Sequence, residues 1–119
     1  MGVFRYIGEG ANRWPAVHEL DAAGLFRVAL EVAPAGTRLH GVGDQGIAFK
    51  DIAKTIGRQL DVPVTSISAQ DAPEHFGHLN TFAALDNPAS SAVTQATLNW
   101  HPAHLGLIED LREGDYFKV

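Results

Sequence analysis

The chain has 119 residues, of which 45% are hydrophobic and 19% charged, and this composition fits one globular domain over residues 1–119. Its net charge of -5 argues against nucleic-acid binding, because proteins that bind nucleic acids usually present a basic face. No apolar run is long enough to span a membrane, and no cysteine is present for disulfides. Since the start also lacks the pattern of a signal peptide, we expect a cytoplasmic protein.

The first half of the chain alternates between strand patterns and helix patterns. Strands are predicted at residues 3–7, 14–17, 37–42 and 62–67, and helices at residues 21–33 and 49–60. Asp21 is predicted to be the N-cap of the first helix, because its carboxylate can accept from the free backbone N–H groups of the first turn. Pro34 and Gly36 end that helix.

The second half predicts short helices. One begins at Ser68 or Asp71, and Pro73 favours Asp71 because proline is tolerated in the first turn. Others are predicted at residues 78–85, from residues 90–94 to Leu98, and from residue 105 to Gly114.

Two sequence runs carry a resemblance to a known family. Asn12-Arg13-Trp14-Pro15-Ala16-Val17-His18, followed by Asp21, resembles the substrate-side strand of the NAD-dependent epimerase/dehydratase family of extended short-chain dehydrogenases. Leu98-Asn99-Trp100-His101-Pro102 resembles the Leu-Gly-Trp-x-Pro signature near the C-terminus of that family. The family's Gly-x-x-Gly-x-x-Gly and Tyr-x-x-x-Lys patterns do not occur in this sequence.

The resemblance implies a small α/β, partial Rossmann-like assembly that is the C-terminal, substrate-binding portion of an NAD(P)-dependent oxidoreductase. It implies substrate contacts from Asn12, Arg13, Trp14 and His18. The NAD or NADP of the intact family would be held by a missing N-terminal half, so we expect no catalytic residue and no turnover on this chain alone. The alternative is a stand-alone binding or oligomerisation module.

Self-association is a further expectation. If the cofactor-binding half is absent, the strand at residues 37–42 and the faces of the two long helices lose their cover. Apolar patches beyond a few hundred Å² are rare on monomers, and a two-fold dimer would let one such patch cover itself. The alternative is that the C-terminal helices fold back over the exposed face.

Other motifs leave alternatives open. Gly41-x-Gly43-x-x-Gly46 matches the dinucleotide fingerprint between a predicted strand and a predicted helix, although Asp44 would repel phosphates; the alternative is a strand-to-helix turn. Two His-x-x-His pairs could offer metal ligands or be surface histidines; they are His75 with His78 and His101 with His104. Arg13 could bind an anion through its guanidinium fork.

Overall fold

The structure is a computed structural model that describes residues 3–114 and 116–117; the ends of the predicted domain at residues 1–2 and 118–119 lie outside the described residues. The strands are β1 (Phe4–Ile7), β2 (Arg13–Ala16), β3 (Asp44–Ala48) and β4 (Val64–Ile67). The helices are α1 (Glu19–Val32), α2 (Phe49–Leu60), α3 (Ala72–Phe76), α4 (Asn80–Ala84), α5 (Ala92–Leu98) and α6 (Leu107–Glu113). A 3-10 turn at Gly77–Leu79 joins α3 to α4.

The strands pair in two separate two-stranded sheets. β1 and β4 are parallel, with Phe4 opposite Val64 and Ile7 opposite Ile67. β2 and β3 are antiparallel, and their register shifts between Trp14 and Ala16. Pro15 lies at that shift, where a residue without an N–H donor is best tolerated.

The prediction of a strand at residues 37–42 was wrong. These residues have no regular structure, and the strand lies further along the chain at β3. The backbone N–H of His40 donates to the Thr94 hydroxyl at 2.9 Å and that of Thr37 to the Pro34 carbonyl at 3.2 Å. The segment is therefore held by turn and side-chain contacts instead of a strand partner.

The helix at residues 49–60 was predicted correctly from its apolar spacing. Phe49, Ile52 and Ala53 are buried, and Phe49 and Ala53 belong to the cluster that includes Phe4 and Val64 of the sheet of β1 and β4. Phe49, Ala53 and Ala83 form one apolar cluster. A second cluster, of Leu25, Leu98 and Trp100, joins α1 to the C-terminal segments.

Asp21 does not cap α1, so that prediction was also wrong. The helix begins at Glu19, and the Nδ1 atom of His18 accepts from the backbone N–H of Leu20 at 3.1 Å. Asp21 lies inside the first turn and is 6% exposed. The Asp21 carboxylate accepts hydrogen bonds from residues more than 80 positions away. The N-terminus of α1 is capped by His18 instead.

The short helices of the second half agree with the predictions to within a few residues. Asp71 is the N-cap residue of α3, although its side chain makes no cap hydrogen bond. Gly114 follows α6. Across the ranges 3–114 and 116–117, no helix has both the length and the apolar content needed to cross a bilayer.

Candidate functional site

The Asn12 side chain ties the start of β2 to the end of α4. Its Nδ2 atom donates to the carbonyl oxygen of Ala83 at 2.9 Å and to that of Leu85 at 3.1 Å. These bonds span more than 70 residues of sequence. Asn12 therefore fixes the segment that follows α4 beside β2.

Arg13 holds the next residues of the same segment. Its Nε and Nη2 atoms donate to the two carboxylate oxygens of Asp86 at 3.1 and 3.2 Å, and its backbone N–H donates to Asp86 Oδ1 at 2.7 Å. The Arg13 carbonyl accepts from the backbone N–H of Asn87 at 2.9 Å. Both side chains are about half exposed.

The charges of this pair stabilise each other. The hydrogen bond and the charge of Asp86 raise the pKa of Arg13. In turn, the side-chain and backbone hydrogen bonds from Arg13 lower the pKa of the Asp86 carboxyl. The guanidinium fork that could bind an anionic ligand is thus occupied by a carboxylate of the chain itself.

Trp14 lines an open cleft of about 320 Å³ together with Pro15, Phe82, Leu85 and Asn87. The Trp14 ring packs edge-on against Phe49, with ring centroids 5.0 Å apart. Phe82 is 59% exposed and forms part of the opposite wall. We call this space, with its five lining residues, the Trp14 cleft.

Arg13 is not among the residues that line the Trp14 cleft. Successive side chains of a strand point to opposite faces, and a Cβ atom on Gly46 would lie 3.3 Å from Cβ of Arg13. Arg13 thus lies over β3, on the other side of the strand from Trp14. Arg13 and Trp14 are neighbours on β2 and Asn12 directly precedes that strand, but the three side chains have different contacts.

His18 lies in a separate cluster. Its ring stacks on that of His104 with centroids 4.7 Å apart, and its Nε2 atom is 3.8 Å from Oδ1 of Asp110. His18 lines two small clefts of about 170 and 140 Å³. It lines neither wall of the Trp14 cleft, so the four predicted substrate residues do not form one site.

The centre of the His18 cluster is the buried Asp21 carboxylate. It accepts from the backbone N–H groups of Ala103 at 2.9 Å and His104 at 3.0 Å, and it lies 2.7 Å from Nδ1 of His104. Burial alone raises the pKa of this carboxyl, but these hydrogen bonds outweigh burial and lower the pKa overall. Trp100 donates its indole N–H to the Asp21 carbonyl at 2.9 Å.

The glycine motif does not fit a dinucleotide. Gly46 lies within β3, and α2 begins directly after that strand, so no glycine loop separates them. The first N–H groups of α2 are already bonded: Phe49 donates to the Asn12 carbonyl at 2.8 Å and Lys50 to the Gly10 carbonyl at 3.0 Å. A pyrophosphate would need such N–H groups free. The interpretation of the motif as a strand-to-helix turn was wrong, because Gly46 lies within β3; that the motif holds no cofactor stays a prediction.

The two His-x-x-His pairs do not converge on a common point. His75 lies in the last turn of α3, whereas His78 follows Gly77, whose φ of 59° interrupts the helix. His101 contacts Gln95 and Asn99, whereas His104 contacts Asp21. Within the part of the chain that the structure describes, no group of three potential ligands is arranged for a metal ion.

Sequence reasoning missed Phe82, Leu85, Asp86 and Asn87, which build the far wall of the cleft and its anchor. The sequence predicted a helix at residues 78–85 and assigned no role to the residues directly after it. The one available signal was the pairing of an arginine with an aspartate, and sequence alone could not choose Asp86 among the 14 acidic residues.

Comparison with known proteins gives two relatives in sequence. An uncharacterized protein of Schizosaccharomyces pombe is 52% identical over 116 residues, which is 98% of this chain and 39% of the relative. An uncharacterized protein of Saccharomyces cerevisiae is 52% identical over 107 residues, 90% of this chain and 36% of the relative. The chain thus spans less than two fifths of the curated relatives it matches. No protein-family model matches it.

Two solved structures resemble the fold. DesIV, a dTDP-glucose 4,6-dehydratase from Streptomyces venezuelae with NAD and TYD bound, superposes with a TM-score of 0.70 and 15% identity over 98% of this chain and 34% of that chain. RMD from Pseudomonas aeruginosa, complexed with NADPH, gives a TM-score of 0.59 and 13% identity over 91% of this chain and 32% of that chain. The chain therefore has the α/β, Rossmann-like fold of about one third of each of these two nucleotide-bound enzymes.

Proposed function

We propose that this chain is the substrate-binding portion of an NAD(P)-dependent oxidoreductase of the epimerase/dehydratase type. The observation that carries the proposal is the match to DesIV, in which 98% of this chain corresponds to 34% of a dehydratase. The cleft beside β2 supports it, because ligand sites are concave, mostly apolar and largely preformed. Its lining includes Trp14, and Asn12 and Arg13 hold its far wall.

The chain by itself turns over no substrate under this proposal. Hydride transfer needs a held nicotinamide and an acid or base group placed at the reacting hydroxyl. Two features support this: Gly41, Gly43 and Gly46 do not form a loop before α2, since Gly46 lies within β3, and the sequence has no Tyr-x-x-x-Lys pair. The residues of this chain would bind and orient a hydroxyl-bearing small molecule.

We also propose that the chain pairs with a second copy or with a cofactor-binding half. The outer face of α1 supports this, since Phe26 is 77% and Leu30 is 89% exposed. Apolar side chains this open on one helix face are typical of surfaces that another protein covers.

A ligand screen by NMR tests the binding function. The isotope-labelled chain is mixed with a panel of sugars, polyols, sugar nucleotides and aromatic alcohols, and with NAD and NADP. We expect at least one hydroxyl-bearing compound to give saturable shifts at Asn12, Trp14 or Leu85. Saturable binding of none of them, or cofactor-dependent turnover by the purified chain above a heat-killed control, would contradict the proposal.

A further inference from the structure

The Trp14 cleft carries no charge on its walls. Four of its five lining residues are apolar or aromatic, and the fifth, Asn87, is a neutral amide. Arg13, the cation nearest to Trp14 in sequence, lies on the other face of β2 and is bonded to Asp86. A phosphate or carboxylate in the cleft would lose water without gaining a charged partner, which is costly in an apolar site.

The lining and the volume of the cleft suit an aromatic ring system. Trp14 lines it from β2 and Phe82 from α4, and the Trp14 ring packs edge-on against Phe49. A cavity of about 150 Å³ accommodates benzene, so the volume of about 320 Å³ is large enough for two fused rings. Aromatic pairs add about 0.5–1.5 kcal/mol beyond the area they bury.

The far wall is fixed before any ligand arrives. Asn12 bonds the Leu85 carbonyl, Arg13 bonds Asp86 through three donors, and the Asn87 N–H donates to the Arg13 carbonyl. A ligand therefore has little backbone to order, and preorganisation of this kind favours affinity. Asn87 offers both an amide donor and an amide acceptor to a hydroxyl or a carbonyl.

From these features we infer that the Trp14 cleft binds an uncharged, ring-bearing alcohol or ketone in preference to a sugar nucleotide. The inference rests on the proposed function and gives it a substrate class. The aromatic rings of Trp14 and Phe82 hold the ring system of the ligand, and Asn87 holds its oxygen. Phosphate-bearing ligands would bind more weakly, because none of the five lining residues is a cation.

The indole N–H signals of the two tryptophans provide the test. Naphthalene-2-methanol is titrated into the isotope-labelled full chain, with inorganic phosphate, dTDP and glucose in parallel titrations. We expect naphthalene-2-methanol to shift the Trp14 signal saturably. Trp100 is the internal control, because its N–H donates to the Asp21 carbonyl and it is buried.

A matched pair of variants locates the site. Phe82→Ala removes one of the two aromatic rings of the lining. We expect it to weaken binding about tenfold, which corresponds to roughly 1.4 kcal/mol. Leu79→Ala removes a similarly exposed apolar side chain that is outside the lining and should leave affinity unchanged. Equal affinity in wild type and Phe82→Ala would overturn the inference.

The remaining outcomes separate the inference from the proposed function. Tighter binding of dTDP or glucose than of naphthalene-2-methanol at Trp14 would overturn the substrate class while leaving a substrate-binding function intact. If none of the four compounds shifts Trp14, the inference fails, and the wider panel of hydroxyl-bearing compounds then decides the proposed function separately.

Discussion

The carboxylate of Asp21 lies 2.7 Å from Nδ1 of His104, across 83 residues of sequence. The same carboxylate accepts from two backbone N–H groups in the segment that follows Trp100. Because it is buried, each of these bonds replaces water that the carboxylate has lost. This contact joins α1 to the C-terminal segments and explains why an aspartate lies inside a helix turn.

Replacement of Asp21 tests this contact. Asp21→Ala should cost about 2–3 kcal/mol of stability, because it removes the charge-assisted hydrogen bonds that join α1 to Ala103 and His104. Asp21→Ser should be nearly as damaging, since a serine hydroxyl cannot reach the same partners. Denaturant melts measure both variants. Recovery of stability in the serine variant would instead support a helix-capping role.

The pH dependence of stability follows from the lowered pKa of Asp21. An unfolded aspartate titrates near pH 3.9, and the folded carboxyl titrates below that value. The stability that Asp21 contributes is therefore fully present above the unfolded pKa and is lost as pH falls through the folded pKa. In melts over a pH series, wild type and Asp21→Asn should converge at low pH. A gap that stays constant down to the lowest pH would be inconsistent with this linkage.

The Arg13 and Asp86 pair makes a prediction about ionisation. The pKa of the Asp86 carboxyl should be below its ordinary value in wild type and should return towards that value in Arg13→Met. The carboxyl carbon signal of Asp86 reports this in an NMR titration. Arg58→Met, on the exposed face of α2, is the control and should leave the Asp86 titration unchanged. An unshifted carboxyl in wild type would mean that the pair does not form in solution.

Two helical glycines should respond in opposite ways to alanine. A Cβ atom on Gly57 would lie 2.2 Å from Cγ2 of Val64, so Gly57→Ala should destabilise the protein by about 1–3 kcal/mol through overpacking. A Cβ on Gly24 would meet only Nε1 of Trp100 at 3.9 Å, an ordinary contact. Gly24→Ala should therefore stabilise by about 0.5–1 kcal/mol, the usual gain in a helix. Thermal melts that rank the two variants the other way would contradict the packing of α2 on β4.

Association through α1 is testable by sedimentation equilibrium. We expect a concentration-dependent dimer of the 12.8 kDa chain that Leu30→Lys disrupts. Val93→Lys changes a comparably exposed residue on α5 and should leave the dimer intact. A monomer at every concentration would reject self-association and leave a different partner for the exposed face.

The spacing of apolar residues along the sequence was enough to predict α2, because the residues at that spacing form its buried face. The local pattern failed at residues 37–42, because the alternation of polar with small or apolar residues there is not accompanied by pairing with another strand. The strand forms instead at β3, where Asp-Gln-Gly-Ile-Ala has weak strand propensity and is held by pairing with β2. The position of this strand could not be predicted from local sequence, because β3 depends on its pairing with β2.

The sequence located one side of the Trp14 cleft, and the role of its residues in substrate binding stays a prediction. Asn12, Arg13 and Trp14 were identified from one run of sequence, and all three contact or line the wall of the cleft. The opposite wall comes from residues about 70 positions away, which no local signal connects to β2. His18 was grouped with them because of its position in the same run. The structure instead places His18 at the N-terminus of α1, where its ring stacks on His104.

Under the proposed function, this chain binds the substrate and holds no nucleotide cofactor by itself. NMR titration of the labelled chain with NAD tests this most directly through the amide signals of Gly43, Gly46, Phe49 and Lys50. We predict no saturable shift at these four amides, because the N–H groups of Phe49 and Lys50 are already bonded to Asn12 and Gly10. Saturable shifts centred on them would show a cofactor site at the start of α2 and would contradict the account.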